Sequence, residues 1–422
     1  MPGPLRIGII GTARILPSHL RGMKALLDAG LADFRITALV GRTLEGALSF
    51  RRRGEGPQPR PPVMTGGDPL AAPHMYVSDV HPDTVPECYL DVASMLEAEE
   101  VDAAVLLTPV HLHHVQALAC LRAGLHVFCE KPLAVSVRAA RVMVEEAERR
   151  GLVLGVAEGV RYDGTARLQR WAVQTGLLGR VELMVLGGVG SYWSPDRIVA
   201  QTPWRHRKLE AGGGPAIDIG VHQFDHVRYV AGEIAEVAAM TARCAAERFT
   251  RDGSGAVQDR VACDVEDTYH ALFRLAGGGT GQLSFTWSGH GQPTFWPDAP
   301  AIYGERGVIR GGRFLAEDGT ELRLGEYAER TAPAGQLERW FPGGVHDSKA
   351  IQFLDFVRTV QARRAGGGAE MDASGAEGLL DLAAAFAVLE SAEARRTVTL
   401  DEVVSGRTDA YQREIDAHHG LL

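Results

Sequence analysis

Leu5-Arg6-Ile7-Gly8-Ile9-Ile10-Gly11-Thr12-Ala13-Arg14-Ile15-Leu16 is the stretch that decides the fold. Its first six residues are mostly apolar and read as a buried strand. Gly11 marks a tight turn, after which Leu16, Leu20, Met23, Leu26 and Leu27 recur at helical spacing until Gly30 closes the helix. Phe34–Val40 is the next apolar run, so a strand–helix–strand unit is predicted. A turn of this kind suits a dinucleotide. The glycine permits tight bending, the small Ala13 lets backbone amides approach a pyrophosphate, and the helix N-terminus adds its positive end. Gly11, Thr12, Ala13, Arg14 and Ile15 are therefore candidate cofactor contacts. Leu16 occupies the third glycine position of the fingerprint, so a plain strand–helix turn is the competing reading.

The same alternation continues outward. Leu90–Glu97, His114–Ala123 and Val137–Arg149 read as helices; Val101–Leu107, His126–Cys129 and Val153–Val156 read as strands. Nearly continuous apolar strands point to a parallel sheet covered on both faces. Residues 1–155 are thus expected to form a doubly wound α/β Rossmann domain. Gly54–Pro73 carries six prolines and is expected to be an exposed loop insertion, spanning about 54–76. Beyond 156 the pattern changes. Helices at Leu168–Thr175 and Pro215–Ala231 mix with strands at Val181–Gly187, Val237–Cys244, Thr268–Leu275, Gly281–Trp287 and Gly307–Ile309. The short connection Ala276–Gly279 signals a hairpin. Residues 156–422, closed by helices Lys349–Ala362 and Ala376–Ala394, are expected to form an α+β domain with an antiparallel sheet.

Composition narrows the function. The 422 residues, 45% apolar and 23% charged, are those of a globular chain of two domains. A net charge of −9 argues against a nucleic-acid partner. No apolar run is long enough for a membrane helix, and the first residues lack the character of a secretory signal, so a cytoplasmic location is expected. Five cysteines without a CxxC pair suggest neither a disulfide framework nor a zinc site. Only four of the 44 basic residues are lysines (Lys24, Lys131, Lys208, Lys349), which singles each of them out.

Three further segments carry chemistry. Gly41-Arg42-Thr43 ends the second strand, where an NAD site usually presents a carboxylate to the ribose. A cation and a hydroxyl there suit a 2′-phosphate, so Arg42 and Thr43 favour NADP over NAD; an ordinary solvated arginine is the alternative. Cys129-Glu130-Lys131-Pro132 ends a parallel strand, on the edge where open α/β sheets bind ligands. Lys131 could polarise a substrate oxygen there, or form a simple surface pair with Glu130. In Gly212-Gly213-Gly214-Pro215-Ala216-Ile217-Asp218-Ile219-Gly220-Val221-His222-Gln223-Phe224-Asp225, glycines and proline start a helix that places Asp218, His222 and Asp225 on one stripe. Carboxylates beside a histidine set its tautomer and basicity. Asp218, His222 and His226 also repeat every four residues, so a metal-dependent hydrolase is a rival reading. No G-x-S-x-G turn and no G-x-x-x-x-G-K-[ST] loop occurs.

At these residues the chain resembles the Gfo/Idh/MocA oxidoreductases over nearly its whole length. The resemblance rests on the glycine turn, Thr108-Pro109-Val110-His111-Leu112-His113, Glu130-Lys131-Pro132 and Gly212–Asp225. It implies a Rossmann domain followed by a domain with a mainly antiparallel open sheet. The implied reaction is hydride exchange between NAD(P) and a secondary alcohol of a sugar, glycoside or cyclitol. By the same resemblance Lys131 would hold the reacting oxygen, His222 would be the general acid/base, and Asp218 would orient it. Thr108, Pro109, His113 and Glu130 would line the nicotinamide side. Arg161, Tyr162, Trp204 and Arg205 would contact substrate. Val110 departs from the asparagine common at its position. Relatives of this fold also use a tightly bound NAD(H) for transient oxidation in epimerisation, elimination or glycoside cleavage, and a cofactor-sensing regulator is a third possibility. No resident metal is expected, and a homodimer or homotetramer follows by family analogy.

Overall fold

A computed structural model of the chain describes residues 3–59, 61–62, 69–189, 202–289, 294–295 and 300–422. The chain forms two compact units. One comprises Met1–Leu133, Ala140–Tyr162 and Phe341–Gly378; the other comprises Ala134–Ala139, Asp163–Trp340 and Leu379–Leu422.

The first unit is built on six parallel strands: β1 (Leu5–Ile10), β2 (Phe34–Val40), β3 (Glu87–Tyr89), β4 (Ala103–Leu106), β5 (His126–Cys129) and β6 (Leu154–Val156). Their order is β3-β2-β1-β4-β5-β6, so the winding reverses between β1 and β4. Open α/β sheets bind ligands outside the carboxyl ends of the strands at such a point. Leu5, Ile7 and Ile9 alternate into one cluster with Phe34 and Phe128. Gly8 faces the other way, where a Cβ would come within 2.7 Å of the Met95 sulfur.

The same cluster takes in Phe353, Phe356, Val357 and Met371. They belong to the return segment Phe341–Gly378, whose helix Ser348–Arg364 packs on helix Leu16–Asp28. Gly22 permits the approach: a Cβ there would lie 2.9 Å from the Ala350 nitrogen. Against an expected division at 155, the first unit runs to Tyr162 without Ala134–Ala139 and is completed by Phe341–Gly378. An apolar helix face shows that a core exists, not which core it joins.

The second unit is a mixed sheet, ordered β17-β16-β15-β14-β7-β12-β11-β8-β18. Its strands are β7 (Val181–Val189), β8 (Ile234–Ala242), β11 (Thr268–Leu275), β12 (Thr280–Thr286), β14 (Ala301–Gly304), β15 (Gly307–Arg310), β16 (Arg313–Ala316), β17 (Glu321–Arg323) and β18 (Val398–Thr399). The short β13 (Thr294–Phe295) also pairs with β7, and β9 (Glu247–Arg251) with β10 (Val257–Ala262) forms a separate hairpin. Among the described residues only β7 and β12 pair in parallel; the other pairings in this sheet are antiparallel. Along β11, Tyr269, Ala271, Phe273 and Leu275 are buried while His270, Leu272 and Arg274 are exposed. One face is packed and the other open, with Leu272 62% and Met240 75% exposed.

The expected loop insertion includes a one-turn helix at Pro69–Ala71; its residues 60 and 63–68 lie outside the described residues. No helix among the described residues is long and apolar enough to cross a membrane.

Candidate functional site

At the carboxyl edge of the first sheet the ladder runs one bond beyond the strands. Gly11 donates its N–H to the Val40 carbonyl (2.9 Å), Leu107 to Ile10 (2.8 Å) and Glu130 to Leu106 (2.9 Å). These bonds align the turns after β1, β4 and β5. Gly11 has φ +105°, and a Cβ there would stand 2.9 Å from the Leu107 carbonyl carbon. Both facts demand glycine. The helix that follows starts at Leu16 with Pro17 in its first turn, no side-chain cap from Ile15 and no acidic residue in that turn. An N-terminus of this kind keeps its positive end for an anion, so the cradle fits a dinucleotide pyrophosphate. Thr12, Ala13, Arg14 and Ile15 line it, half-buried.

After β2, Thr43 caps helix Leu44–Arg51 by accepting the Gly46 N–H (3.1 Å). A Cβ on Gly46 would lie 3.1 Å from the Thr43 hydroxyl and 3.3 Å from that of Thr12, so the two hydroxyls flank one point. Arg42 is exposed beside them. After β4, the Thr108 hydroxyl donates to Gln116 Oε1 (2.6 Å). The buried His113 ring ties two strand ends together: Nε2 lies 2.9 Å from the Thr108 carbonyl and Nδ1 3.0 Å from that of Pro132. Burial lowers its pKa, so the neutral ring donates to one carbonyl in each tautomer.

Glu130 is buried at the end of β5. Its Oε1 accepts from His19 Nε2 (2.7 Å) and Lys349 Nζ (3.0 Å), and its Oε2 accepts the backbone N–H of Lys131 (3.1 Å). Burial opposes the charge, but Lys349 and the His19 hydrogen bond hold this carboxyl well below the usual carboxylate range. Burial, helped by Lys349, pushes His19 down, so its ring is neutral and Nε2–H is the donor.

In the second unit, Gly212-Gly213-Gly214 leads into Pro215–Asp218 and then Gly220–Ala231. The single helix expected over Pro215–Ala231 is interrupted at Ile219, and the His222 N–H bonds three residues back, to Ile219 (3.1 Å). Gly214 is obligatory, because a Cβ there would overlap the Glu266 carbonyl oxygen. The buried Glu266 carboxylate accepts the N–H groups of Gly214 (2.9 Å) and Ala216 (3.0 Å), and burial raises its pKa to about 7. Asp218 and His222 are half-buried one turn apart. Arg205, from the short turn Pro203–His206, reaches Asp218 Oδ2 with Nε at 3.4 Å and lies over the Trp204 ring, 4.4 Å from its centroid. Trp204, Arg205 and Asp218 thus come together in this unit, with His222 four residues along the chain from Asp218.

Two expectations are corrected. Arg161 and Tyr162 are buried in the scaffold rather than offered to a substrate. Arg161 donates to Glu377 (2.7 Å) and the Asp372 carbonyl (3.1 Å), and Tyr162 donates to Asp355 (2.7 Å), all in the return segment. The metal rival also loses its third ligand. His226 bonds Gln169 Oε1 through Nε2 (2.8 Å), and burial lowers its pKa to about 4. Among the described residues no group of three His, Cys, Asp or Glu side chains is placed to hold a metal ion.

Residues 67–158 match the model described as oxidoreductase family, NAD-binding Rossmann fold, and residues 167–310 match the GFO/IDH/MocA C-terminal domain. The chain is 26% identical to a myo-inositol 2-dehydrogenase of Thermotoga maritima, covering 95% of this chain and all of that one. A levoglucosan dehydrogenase solved with NADH and levoglucosan superposes with a TM-score of 0.69 at 22% identity, covering 94% of this chain and 98% of that one. The myo-inositol dehydrogenase Hyg17 of Streptomyces leeuwenhoekii is 30% identical over 58% of this chain and 71% of its own. The chain belongs to the Gfo/Idh/MocA family. Its first part matches an NAD-binding oxidoreductase family, and its relatives include dehydrogenases of myo-inositol, levoglucosan and D-glucosides.

In this Gfo/Idh/MocA oxidoreductase, three functional-site neighbours escaped sequence reading: His19, Lys349 and Glu266. Lysine scarcity was the one signal that touched Lys349. His19 lay hidden as a polar residue in an otherwise regular helix, and nothing local to Glu266 marks its reach to Gly214.

Proposed function

We propose that the protein oxidises a secondary alcohol of a sugar, glycoside or cyclitol, with NADP preferred to NAD. The carrying observation is the anchoring of Lys131. It stands where the β5 edge delivers ligand-binding residues, with its backbone N–H fixed by a buried, ionised Glu130. The nicotinamide, when bound, supplies the hydride acceptor. Lys131 Nζ holds the substrate oxygen and stabilises the charge that grows on it as its proton leaves. His222 accepts that proton on a ring nitrogen, and Asp218 orients the imidazole. Arg205, shared between the Trp204 face and Asp218, fixes the carboxylate and offers donors to substrate hydroxyls. Gly11, Thr12, Ala13, Arg14 and Ile15 bind the pyrophosphate. Thr108, Pro109 and His113 shape the wall beside the nicotinamide. The exposed Arg42 and the Thr43 hydroxyl take the 2′-phosphate, a role that an NAD-type carboxylate would oppose.

The dehydrogenases of inositol and levoglucosan among the relatives support the substrate class. The exposed Leu272, Met240 and Leu183 on the open sheet face support self-association as a dimer or tetramer.

The test is reduction of NADP+ and NAD+ against a panel of cyclitols and sugars. At least one should be oxidised, and Lys131→Ala and His222→Ala should each lower turnover by about a hundredfold or more. Near-wild-type turnover in either variant refutes the assignment. Product formation without net cofactor reduction would replace it with the bound-cofactor reading.

A further inference from the structure

Asp218 and His222 stand four residues apart, the spacing at which an unbroken helix sets one side chain against the other. Here the helix is broken between them. Asp218 closes the short helix Pro215–Asp218, Ile219 leaves it at φ −107°, and His222 belongs to the next helix, Gly220–Ala231. At the break the Ile219 carbonyl receives the N–H groups of both His222 (3.1 Å) and Gln223 (3.4 Å). The setting of the carboxylate against the imidazole therefore depends on what holds each helix from outside.

One stretch of chain holds both. Glu266 takes the first helix, its Oε2 accepting the Gly214 N–H (2.9 Å) and its Oε1 the Ala216 N–H (3.0 Å). Tyr269, fully buried in β11, takes the second, donating its hydroxyl to Gln223 Oε1, one residue beyond His222. The same hydroxyl lies beside Gly220, where a Cβ would stand 3.5 Å from it. Burial holds the Tyr269 hydroxyl well above its ordinary range, so it stays a donor. Tyr269 is itself fixed by pairing on both sides, with Phe285 and with Thr241.

We propose that Glu266 and Tyr269 are positioning residues for Asp218 and His222. Three residues apart on one segment, they clasp the broken helix on either side of Ile219 and fix its two halves against each other. The inference rests on the reading of His222 as the group that takes the proton and Asp218 as the group that orients it.

Full-length Glu266→Gln and Tyr269→Phe are compared with wild type at about pH 8, where Glu266, with its pKa of about 7, is ionised. Glutamine accepts through one atom only, so one of the two N–H groups loses its partner; phenylalanine removes the bond to Gln223. One measurement is backbone hydrogen exchange over residues 213–224 of cofactor-free protein, read by mass spectrometry. The other is steady-state kinetics. In each variant exchange in that segment should accelerate by about tenfold or more. Turnover should fall by about tenfold or more, with substrate KM within about threefold of wild type. In an Asp218→Asn background, where the orienting carboxylate is already lost, either substitution should lower kcat by less than about threefold further. Should one variant fail to fold, the other decides the matter. Wild-type exchange in a folded variant, an undiminished kcat, a rise in KM as large as the fall in kcat, or full additivity with Asp218→Asn overturns the proposal. The exchange arm needs no substrate, so a failure to find any alcohol that is oxidised counts against the proposed function alone.

Discussion

Glu266 carries a carboxylate into the packed interior and gives it two backbone N–H groups as donors. Burial raises its pKa to about 7, against an ordinary 4.5. In the intervening range the folded protein holds a proton that the unfolded chain has released. Stability from this group is therefore greatest below the unfolded pKa and declines as pH rises through about 7. Urea unfolding of wild type and Glu266→Gln should show the difference: between about pH 5 and pH 8 the wild type should lose on the order of 2–3 kcal/mol relative to the variant. A pH-independent difference would show that the carboxylate does not titrate there. Arg42 yields a second expectation at this scale. Arg42→Ala should lower kcat/KM for NADP+ by roughly tenfold or more, as for a lost hydrogen bond to a charged group, and leave NAD+ nearly untouched. Lys131, Asp218 and His222 can be proposed from the sequence because their motifs are local. Glu266 and Lys349 act on residues about fifty and two hundred positions away, and no spacing rule reaches that far.

Turns place the chemistry on these elements, and glycine decides the turns. Gly11 and Gly214 are both positions where a Cβ would strike backbone, at Leu107 and at Glu266. Backbone cannot rotate aside as a side chain can. Gly214→Ala should therefore destabilise the protein by about 2 kcal/mol or more and, by displacing the start of the Asp218–His222 segment, reduce turnover in whatever fraction remains folded. Thermal unfolding and activity per folded molecule separate the two effects. Five of the six strands of the first sheet were readable because parallel strands buried on both faces are continuously apolar; the edge strand Glu87–Tyr89, only partly buried, was not. Nor was the interruption at Ile219, although Gly220 directly follows it; Ile219 leaves the helix at φ −107° without any exotic backbone. Arg161 and Tyr162 show the reverse limit. A basic–aromatic pair reads the same whether it greets a substrate or props up a neighbouring helix.

For the molecule as a whole, the first unit is discontinuous in sequence. Its core borrows Ile351, Phe353, Leu354, Phe356, Val357 and Val360 from the return helix. Burying six such side chains contributes on the order of 10 kcal/mol, comparable to the entire net stability of about 5–15 kcal/mol typical of a domain. A fragment of residues 1–162 should accordingly lack a cooperative melt, and linking residues 341–378 to it should restore one. A sharp transition in the short fragment would show that the return segment is ornamental. The sequence offered the helix but not its destination, because an apolar stripe is satisfied by any core.

That borrowed helix also sets a schedule. On the ribosome the six strands of the first sheet emerge early, yet the side that Phe353 and Phe356 will cover stays bare until nearly the whole second sheet has been made. At roughly 5–20 residues per second the delay is on the order of ten to forty seconds. The part of the polypeptide synthesised first is among the last to be finished, and for that interval its apolar flank is a natural client for a chaperone.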